Sequence, residues 1–329
     1  MGVGHLVVIG ASAGGVRALQ VLAAQLDPGF AAPLLVVQHV GSHPSMLPAL
    51  LARSGPLPAA HAQDGVRLEP GRIYVAPPDR HMVVDGDLIR VNHGPREHHT
   101  RPAVDPLFRS AAVSFGPAAV GVVLTGFLDD GTAGLQAIKR CGGRAVVQDP
   151  DDAEAPSMPL SALRYVEVDH CVPLSTMGAL LASLVAADPP ARIARVPELI
   201  EREHAILLGK GEPMAHTTAI GSPSVFACPD CYGTLFQIDG EPPRFRCHTG
   251  HAFSLRSLHH AQAEATDEAL WSALRALQEK QMLLSRQAES HAHALDAAEA
   301  AQLEADAALA QRHVQTLRSL IESLTPRAE

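Results

Sequence analysis

Aromatic side chains are scarce: Phe, Tyr and Trp make up 4% of the 329 residues. So few rings argue against a stacking platform for single-stranded nucleic acid. The formal net charge of -9 points the same way, so no nucleic-acid partner is expected. Long apolar runs are missing too. The longest uncharged stretch, Ser110 to Leu128, is interrupted by Gly116, Pro117, Gly121 and Gly126. It reads as a helix end, a loop and a strand, and no membrane insertion is expected. The first apolar run is short and no basic segment precedes it, which predicts no secretory leader. Leu6 stands where a chain beginning Met1-Gly2 would favour Ser or Thr for myristoylation. Together these absences predict a cytoplasmic protein. Cysteine is rare as well: there are five, an odd number, and three of them cluster late in the chain. Where thiols stay reduced, such spacing reads as metal binding rather than as disulfides.

What is present is a large apolar fraction, 47% against 19% charged, enough to bury a core. The length exceeds the roughly 100–200 residues usual for one domain. From residue 5 to about 187, short apolar runs alternate with helical segments. Strands are predicted at Leu6–Ile9, Leu34–Gln38, Ile73–Ala76, Val120–Thr125, Arg144–Val147 and Val166–Asp169. Helices are predicted at Gly15–Leu26, Ser45–Arg53, Val104–Val113, Ala133–Arg140 and Ser175–Ala187, and Met82–Val91 reads as a hairpin around Asp85-Gly86. This alternation predicts an α/β fold with a doubly wound, mostly parallel sheet.

Residues 188–223 carry five prolines around one predicted helix near Glu198–Leu208, which marks a linker or wrapping segment. A compact block follows at 224–253. Neither glycine nor proline occurs from His251 to Thr325, so 254–325 is predicted to be helical. Leu270, Leu274, Leu277, Gln281, Leu284, Ala288, His291, Leu295 and Ala298 keep a 4-3 spacing. Leu303, Ala307, Ala310, Val314, Leu317, Ile321 and Leu324 keep it too, but out of step with Ala298. That slip predicts either a stutter in one coiled helix or a bend into a helical hairpin. A homodimer through these helices and an amphipathic pair packed on the chain's own body are both open.

The most telling motif is Gly10-Ala11-Ser12-Ala13-Gly14, placed between the run Leu6-Val7-Val8-Ile9 and a predicted helix. G-x-S-x-G after a strand and before a helix holds a serine hydroxyl exposed on a tight elbow. A dinucleotide site would need glycine where Ser12 stands. A serine needs a base to take its proton and a third group to orient that base. His39 and Asp130 follow later predicted strands, so all three fall at carboxyl ends, where open α/β sheets place their chemistry.

Cys228-Pro229-Asp230-Cys231 and Cys247 supply three soft ligands, and His251 a fourth, with His248 as the alternative. Two knuckles joined by a short hairpin (Thr234–Ile238 and Arg244–Arg246) give a zinc-ribbon pattern. With four protein ligands the zinc would be structural. The competing reading is a redox or unliganded CxxC. Cys141 and Cys171 read as small buried hydrophobes, and Trp271 as an anchor of its helix. His93, His98 and His99 read as a solvated loop.

Further motifs follow in order: Val8-Ile9-Gly10-Ala11-Ser12-Ala13-Gly14-Gly15, Val37-Gln38-His39 and Gly71-Arg72-Ile73-Tyr74-Val75-Ala76-Pro77-Pro78-Asp79-Arg80-His81. They continue through Arg101-Pro102-Ala103-Val104-Asp105-Pro106-Leu107-Phe108, Leu124-Thr125-Gly126 and Glu154-Ala155-Pro156-Ser157-Met158-Pro159. On these motifs residues 5–187 resemble the catalytic domain of the chemotaxis protein-glutamate methylesterase (CheB) family. The resemblance implies Ser12 as nucleophile, His39 as general base, and Asp130 rather than Asp129 as the orienting acid. It also implies backbone oxyanion donors at Ala13 and Phe127, and no cofactor for catalysis. The activity implied is hydrolysis of γ-glutamyl methyl esters on methyl-accepting chemoreceptors or similar methylated signalling proteins, sometimes with glutamine deamidation. Two departures stand out. Phe127-Leu128 replace the family's Met-Gly, which predicts a shifted oxyanion loop, since Leu disfavours positive φ. Ser12 lies so near Met1 that no receiver domain is expected ahead of it. A signalling scaffold with a vestigial triad, and a serine esterase acting on a non-receptor methyl ester, are the alternatives.

Overall fold

The computed structural model describes residues 3–41, 43–188, 195–293 and 297–324, without the side chains of 291–293. It divides into two compact units, Met1–Leu258 and His259–Glu329. The first runs β1 (Leu6–Ala11), α1 (Gly15–Gln25), β2 (Leu34–Gln38), α2 (Leu47–Ser54), β3 (Ala59–His61), β4 (Ile73–Val75), β5 (His81–Asp85) and β6 (Leu88–Asn92). It continues with α3 (Val104–Phe115), β7 (Ala119–Val123), α4 (Thr132–Arg140), β8 (Arg144–Gln148), α5 (Ser157–Tyr165), β9 (His170–Val172) and α6 (Leu174–Ala186). Seven strands make one parallel sheet in the order β3-β4-β2-β1-β7-β8-β9. The strand order reverses between β1 and β7, which opens a crevice at their carboxyl ends.

The period of two along each strand splits the core into two layers. Val7 and Ile9 of β1 pack with Leu34, Val36 and the apolar faces of α1 and α6. Leu6 and Val8 pack with Leu35, Val37 and the Leu107–Phe108 side of α3. Both faces are covered, so the strands are near-continuous Val/Leu/Ile runs, as buried parallel strands are. Each such side chain taken fully out of water contributes about 1.5–3 kcal/mol. The expected hairpin forms as a separate antiparallel pair, β5–β6.

Residues 188–223, expected to hold one helix, carry two, α7 (Glu198–Leu207) and α8 (Pro213–Ile220), and the start of β10 (Gly221–Ala227). Residues 189–194 lie outside the described residues. β10 joins β11 (Thr234–Ile238), β12 (Arg244–Cys247) and β13 (Ala252–Ser254) in a four-stranded antiparallel sheet. That sheet belongs to the same compact unit as the parallel one.

α9 (Leu255–His293) and α10 (Ala297–Leu324) follow. In the second unit Leu270, Leu274 and Leu277 of α9 pack against Val314, Leu317 and Ile321 of α10. Pairing of early residues with late ones makes α9 and α10 an antiparallel hairpin, and the heptad slip between Ala298 and Leu303 falls inside α10. Leu295, the side chain of His291 and Thr325 lie outside the described residues. Trp271 is half-exposed.

Candidate active site and metal-ligand cluster

β1 delivers Ser12 into the crevice. The Ser12 N–H donates to Thr125 O (2.9 Å), and Gly15 N–H donates to Ser12 O (2.8 Å). Gly14, at φ 73, makes the left-handed step that swings the chain into α1, a conformation glycine takes without steric cost. Gln38 Nε2 donates to Ser12 O (2.8 Å) and to His39 O (3.1 Å), tying the ends of β1 and β2 together.

Ser12 Oγ lies 3.1 Å from His39 Nδ1, and His39 Nε2 lies 2.8 Å from Asp130 Oδ2. A carboxylate only accepts, so Nε2 carries the hydrogen and the bare Nδ1 faces the serine hydroxyl. Asp130 is further fixed by the first turn of α3: Val104 N–H donates to its Oδ2 (2.7 Å) and Asp105 N–H to its Oδ1 (2.9 Å). Burial pushes the Asp130 carboxyl up, but the charge of His98, the bond and charge of His39 and the Val104 N–H outweigh it. The net result is a pKa lowered to about 2. Asp129 points elsewhere. It accepts from Ser254 Oγ (2.7 Å), and burial raises its pKa against the charge of His98 and that bond.

The loop after β7 closes the other side of the serine. Gly126 approaches so closely that a Cβ there would lie 2.7 Å from Ser12 Cβ and would overlap Met158 Sδ. We expect Gly126→Ala to lower kcat/KM on a small ester at least tenfold and to destabilise by about 1–3 kcal/mol, the usual scale for overpacking. Steady-state kinetics beside a urea melt would check both. Among the described residues no acceptor engages the N–H of Ala13 or of Phe127, and the Phe127 side chain is exposed. Leu128 takes the left-handed conformation, φ 61, so the loop keeps the backbone a glycine would give. A left-handed leucine costs about 1–2 kcal/mol.

The family model for the CheB methylesterase matches residues 7–181. The chain belongs to the CheB methylesterase family. It is 44% identical over 162 residues to an Anaeromyxobacter dehalogenans protein named "Protein-glutamate methylesterase/protein-glutamine glutaminase 3", which is 48% of this chain and 47% of that one. A Leptospira interrogans protein, named provisionally for the same two activities, is 35% identical over 180 residues, 54% of this chain and 93% of its own. The crystal structure of the Thermotoga maritima CheB methylesterase catalytic domain superposes with a TM-score of 0.53 at 31% identity. It covers 55% of this chain and 99% of that domain. The chain thus spans about half the length of its Anaeromyxobacter relative, and the family match leaves residues 182–329 outside it.

Beyond the residues the family motifs single out, the sequence reading missed His98. It is no solvated loop residue: its side chain is 7% exposed. His98 Nε2 donates to Asp105 Oδ2 (2.8 Å) and lies 3.5 Å from Asp130 Oδ1, while Nδ1 meets Ser257 Oγ at 3.0 Å. Burial pushes the imidazolium down, yet the charge of Asp130, the bond to Asp105 and the charges of Asp105 and Asp129 raise it to about 10. His93, by contrast, is exposed beside Asp79, and His99 Nδ1 sits 2.7 Å from Asp230 Oδ1. No periodicity marks a loop histidine that folds inward, so nothing in the local sequence sets His98 apart from His93 and His99.

A second buried charge network was equally silent in the sequence. Glu97 Oε1 accepts from Arg109 of α3 (2.6 Å) and Arg246 of β12 (3.0 Å). Glu203 of α7 accepts from Arg246 (3.0 Å) and Arg244 (2.8 Å). The two carboxylates, three guanidinium groups and three elements interlock. Removing either carboxylate would strip a guanidinium of its close partner, Arg109 for Glu97 and Arg244 for Glu203, at a cost of about 3–5 kcal/mol.

The cysteines converge as well. Cys228 Sγ lies 3.7 Å from His251 Nδ1, Cys247 Sγ lies 3.5 Å from the same nitrogen, and Cys231 Sγ lies 3.6 Å from Cys247 Sγ. A tetrahedron with arms of about 2.3 Å to sulfur and 2.0–2.1 Å to nitrogen has edges of about 3.5–3.8 Å. The four donors therefore fit one tetrahedral metal ion. A hydrogen bond from Cys228 holds the Cys247 thiol well below the usual thiol range against burial, helped by the bond and charge of His251. His248 is exposed and packs over Gly233 instead. Of the two remaining cysteines, Cys141 is buried as expected, whereas Cys171 is exposed at the sheet edge on β9.

Proposed function

We propose that this chain is a protein-glutamate methylesterase, with glutamine deamidase activity on the same site, acting on methyl-accepting chemoreceptors or similar methylated signalling proteins. The observation that carries the reading is the Ser12–His39–Asp130 relay, with steps of 3.1 and 2.8 Å. His39 Nδ1 takes the proton of Ser12 Oγ as the oxygen attacks the γ-ester carbonyl. The Ala13 and Phe127 N–H groups receive the oxyanion, each such donor being worth about 2.7–4 kcal/mol. His39 then returns the proton to the leaving methoxide, which departs as methanol. Water, activated by the same nitrogen, attacks the acyl-Ser12, and the products are a glutamate carboxylate and free Ser12. With a glutamine substrate the leaving group is ammonia. No cofactor enters this chemistry.

On this reading residues 1–187 are the catalytic domain, 188–223 a wrapping linker, 224–253 a zinc ribbon and 254–325 a helical segment. Cys228, Cys231, Cys247 and His251 would hold a structural Zn²⁺, and the donor distances above support it. The helical hairpin is the surface for self-association or partner docking. Among the described residues no helix is long and apolar enough to cross a membrane, which fits action on the cytoplasmic parts of receptors.

The test is methanol release from methylated receptor cytoplasmic fragments. Ser12→Ala should reduce it by about 10⁶-fold, the scale for losing the nucleophile of a triad. Release that persists in Ser12→Ala would refute a serine mechanism. Hydrolysis of small methyl esters without release from receptor fragments would move the substrate away from receptors.

A further inference from the structure

We propose that His98 is a positioning residue of the triad, seated by the cysteine-bearing sheet, and that it holds Asp130 charged and turned toward His39. The inference rests on the esterase reading above and names a control of that same site.

His98 sits where two non-glycine residues in succession, His98 (φ 54) and His99 (φ 61), adopt the left-handed conformation. Such a pair persists only when its surroundings over-determine it. The surroundings come from the C-terminal side of the chain. Glu97 pairs with Ala252 as a parallel bridge: Ala252 N–H donates to Arg96 O (3.2 Å) and His98 N–H donates to Ala252 O (2.7 Å). Ala252 is the neighbour of His251 in the donor cluster. Five residues on, Ser257 Oγ meets His98 Nδ1, and Ser254 Oγ–H holds Asp129. The imidazole is thus fixed at its backbone and at both ring nitrogens, and the C-terminal segment supplies two of those three attachments.

Its chemical effect follows from the charges around it. Asp105 and Arg109 face it from α3, and Asp129 and Asp130 from the loop after β7. His39 lies beyond Asp130, Glu97 stands on its own loop, His81 faces Asp130 from β5, and Arg256 of α9 faces Asp129. Asp105 and Asp130 are both buried, and adjacent carboxylates cannot both stay ionised without a counter-ion. His98 is the cation that touches both. Without it the buried pair loses the cation that bridges it, so Asp130 is no longer held charged and turned toward His39, and His39 Nε2–H loses the acceptor that keeps Nδ1 bare for Ser12.

The experiment uses the full chain and two variants, His98→Gln and Ser257→Ala. His98→Gln keeps polar atoms but no charge. It should lower kcat/KM at pH 7 by about ten- to a hundredfold through kcat rather than KM, and move the acid limb of kcat/KM up by about one pH unit or more. Ser257→Ala, a milder change, should move the limb the same way by less. A readout independent of turnover is the low-field proton NMR signal of the His39–Asp130 hydrogen bond, expected in the wild type and shifted or lost in His98→Gln. Unchanged pH profiles and an unchanged signal in both folded variants would overturn the proposal. If the wild type hydrolyses no ester at all, the esterase reading fails, and the proton signal alone still decides whether His98 positions Asp130.

Discussion

Asp130→Asn is expected to lower kcat/KM for ester hydrolysis by about 10⁴-fold, the scale seen when a triad acid loses its charge. The reason lies in three donors that share one carboxylate. His39 Nε2–H and Val104 N–H converge on Oδ2, and Asp105 N–H on Oδ1. An amide has one acceptor oxygen. If its NH₂ replaces Oδ2, it faces Val104 N–H and must donate to His39 Nε2. The histidine hydrogen then moves to Nδ1, pointing at Ser12, and the base is lost. If the NH₂ replaces Oδ1, the tautomer survives but Asp105 N–H is orphaned and the negative charge that stabilises a protonated His39 is gone. A buried donor without a partner costs about 1–3 kcal/mol, so stability should fall in either orientation. Because the Asp130 pKa is lowered to about 2, its contribution is present above the unfolded carboxylate value and lost as pH falls through that folded value. The stability gap between wild type and variant, read from urea melts, should therefore close as pH drops from about 4 to 2. A variant with wild-type kcat/KM would remove Asp130 from the mechanism.

What was legible in the sequence follows from what each residue's signal depends on. β1 and β2 are buried on both faces, so their apolar runs stand out, and Leu34–Gln38 is found where it was expected. Ser12, His39 and Asp130 sit past the ends of such strands, which is why the spacing brings them out together, and the fold joins them in steps of 3.1 and 2.8 Å. Edge elements had no such signal. A strand was expected at Val166–Asp169, but Val166 follows the end of α5 and the strand is His170–Val172, exposed or half-buried along its length. β3 is three residues at the other edge, and β10 runs through Pro223, a residue that argues for a loop in sequence and is tolerated on an edge strand.

Long-range polar contacts were the least legible. His98 and Ser257 are 159 positions apart in the chain, yet imidazole and hydroxyl meet at 3.0 Å, and nothing in either local sequence announces the other. Glu97, Glu203 and Arg246 look like ordinary surface charges until the fold buries them. Cysteine spacing is the opposite case: the intervals of two and three residues in Cys228-x-x-Cys231 and Cys247-x-x-x-His251 are local, and the four donors they pick out do converge.

Metal removal is expected to produce the largest loss of stability. The Cys247→Ser variant, or treatment with a strong chelator, should lower the melting temperature by about 6–20 °C, taking about 3–5 kcal/mol and about 2–4 °C per kcal/mol for a unit of this size. β12 explains why the effect spreads. Cys247 belongs to the donor cluster, while its neighbour Arg246, 1% exposed, bonds Glu97, Glu203 and Gly250 O. Loosening the knuckle therefore loosens the buried charge network, whose members would then lack partners. Metal binding energy in such small modules is folding energy, about 10–16 kcal/mol in isolated zinc-finger peptides. Here a smaller share is expected, because Phe226 and Phe245 pack edge-to-face at 5.5 Å and Leu235 is fully buried. Ala252, Ser254 and Ser257 lie a few residues beyond His251, so the same treatment should slow labelling of Ser12 by a serine-directed phosphonate. Elemental analysis of the purified protein, a calorimetric melt with and without chelator, and the labelling rate would be measured on one preparation. Stoichiometric zinc whose removal lowers both the melting temperature and the labelling rate would tie the cluster to the esterase site. Absence of bound zinc with an unchanged melt would return the cysteines to the redox or unliganded reading.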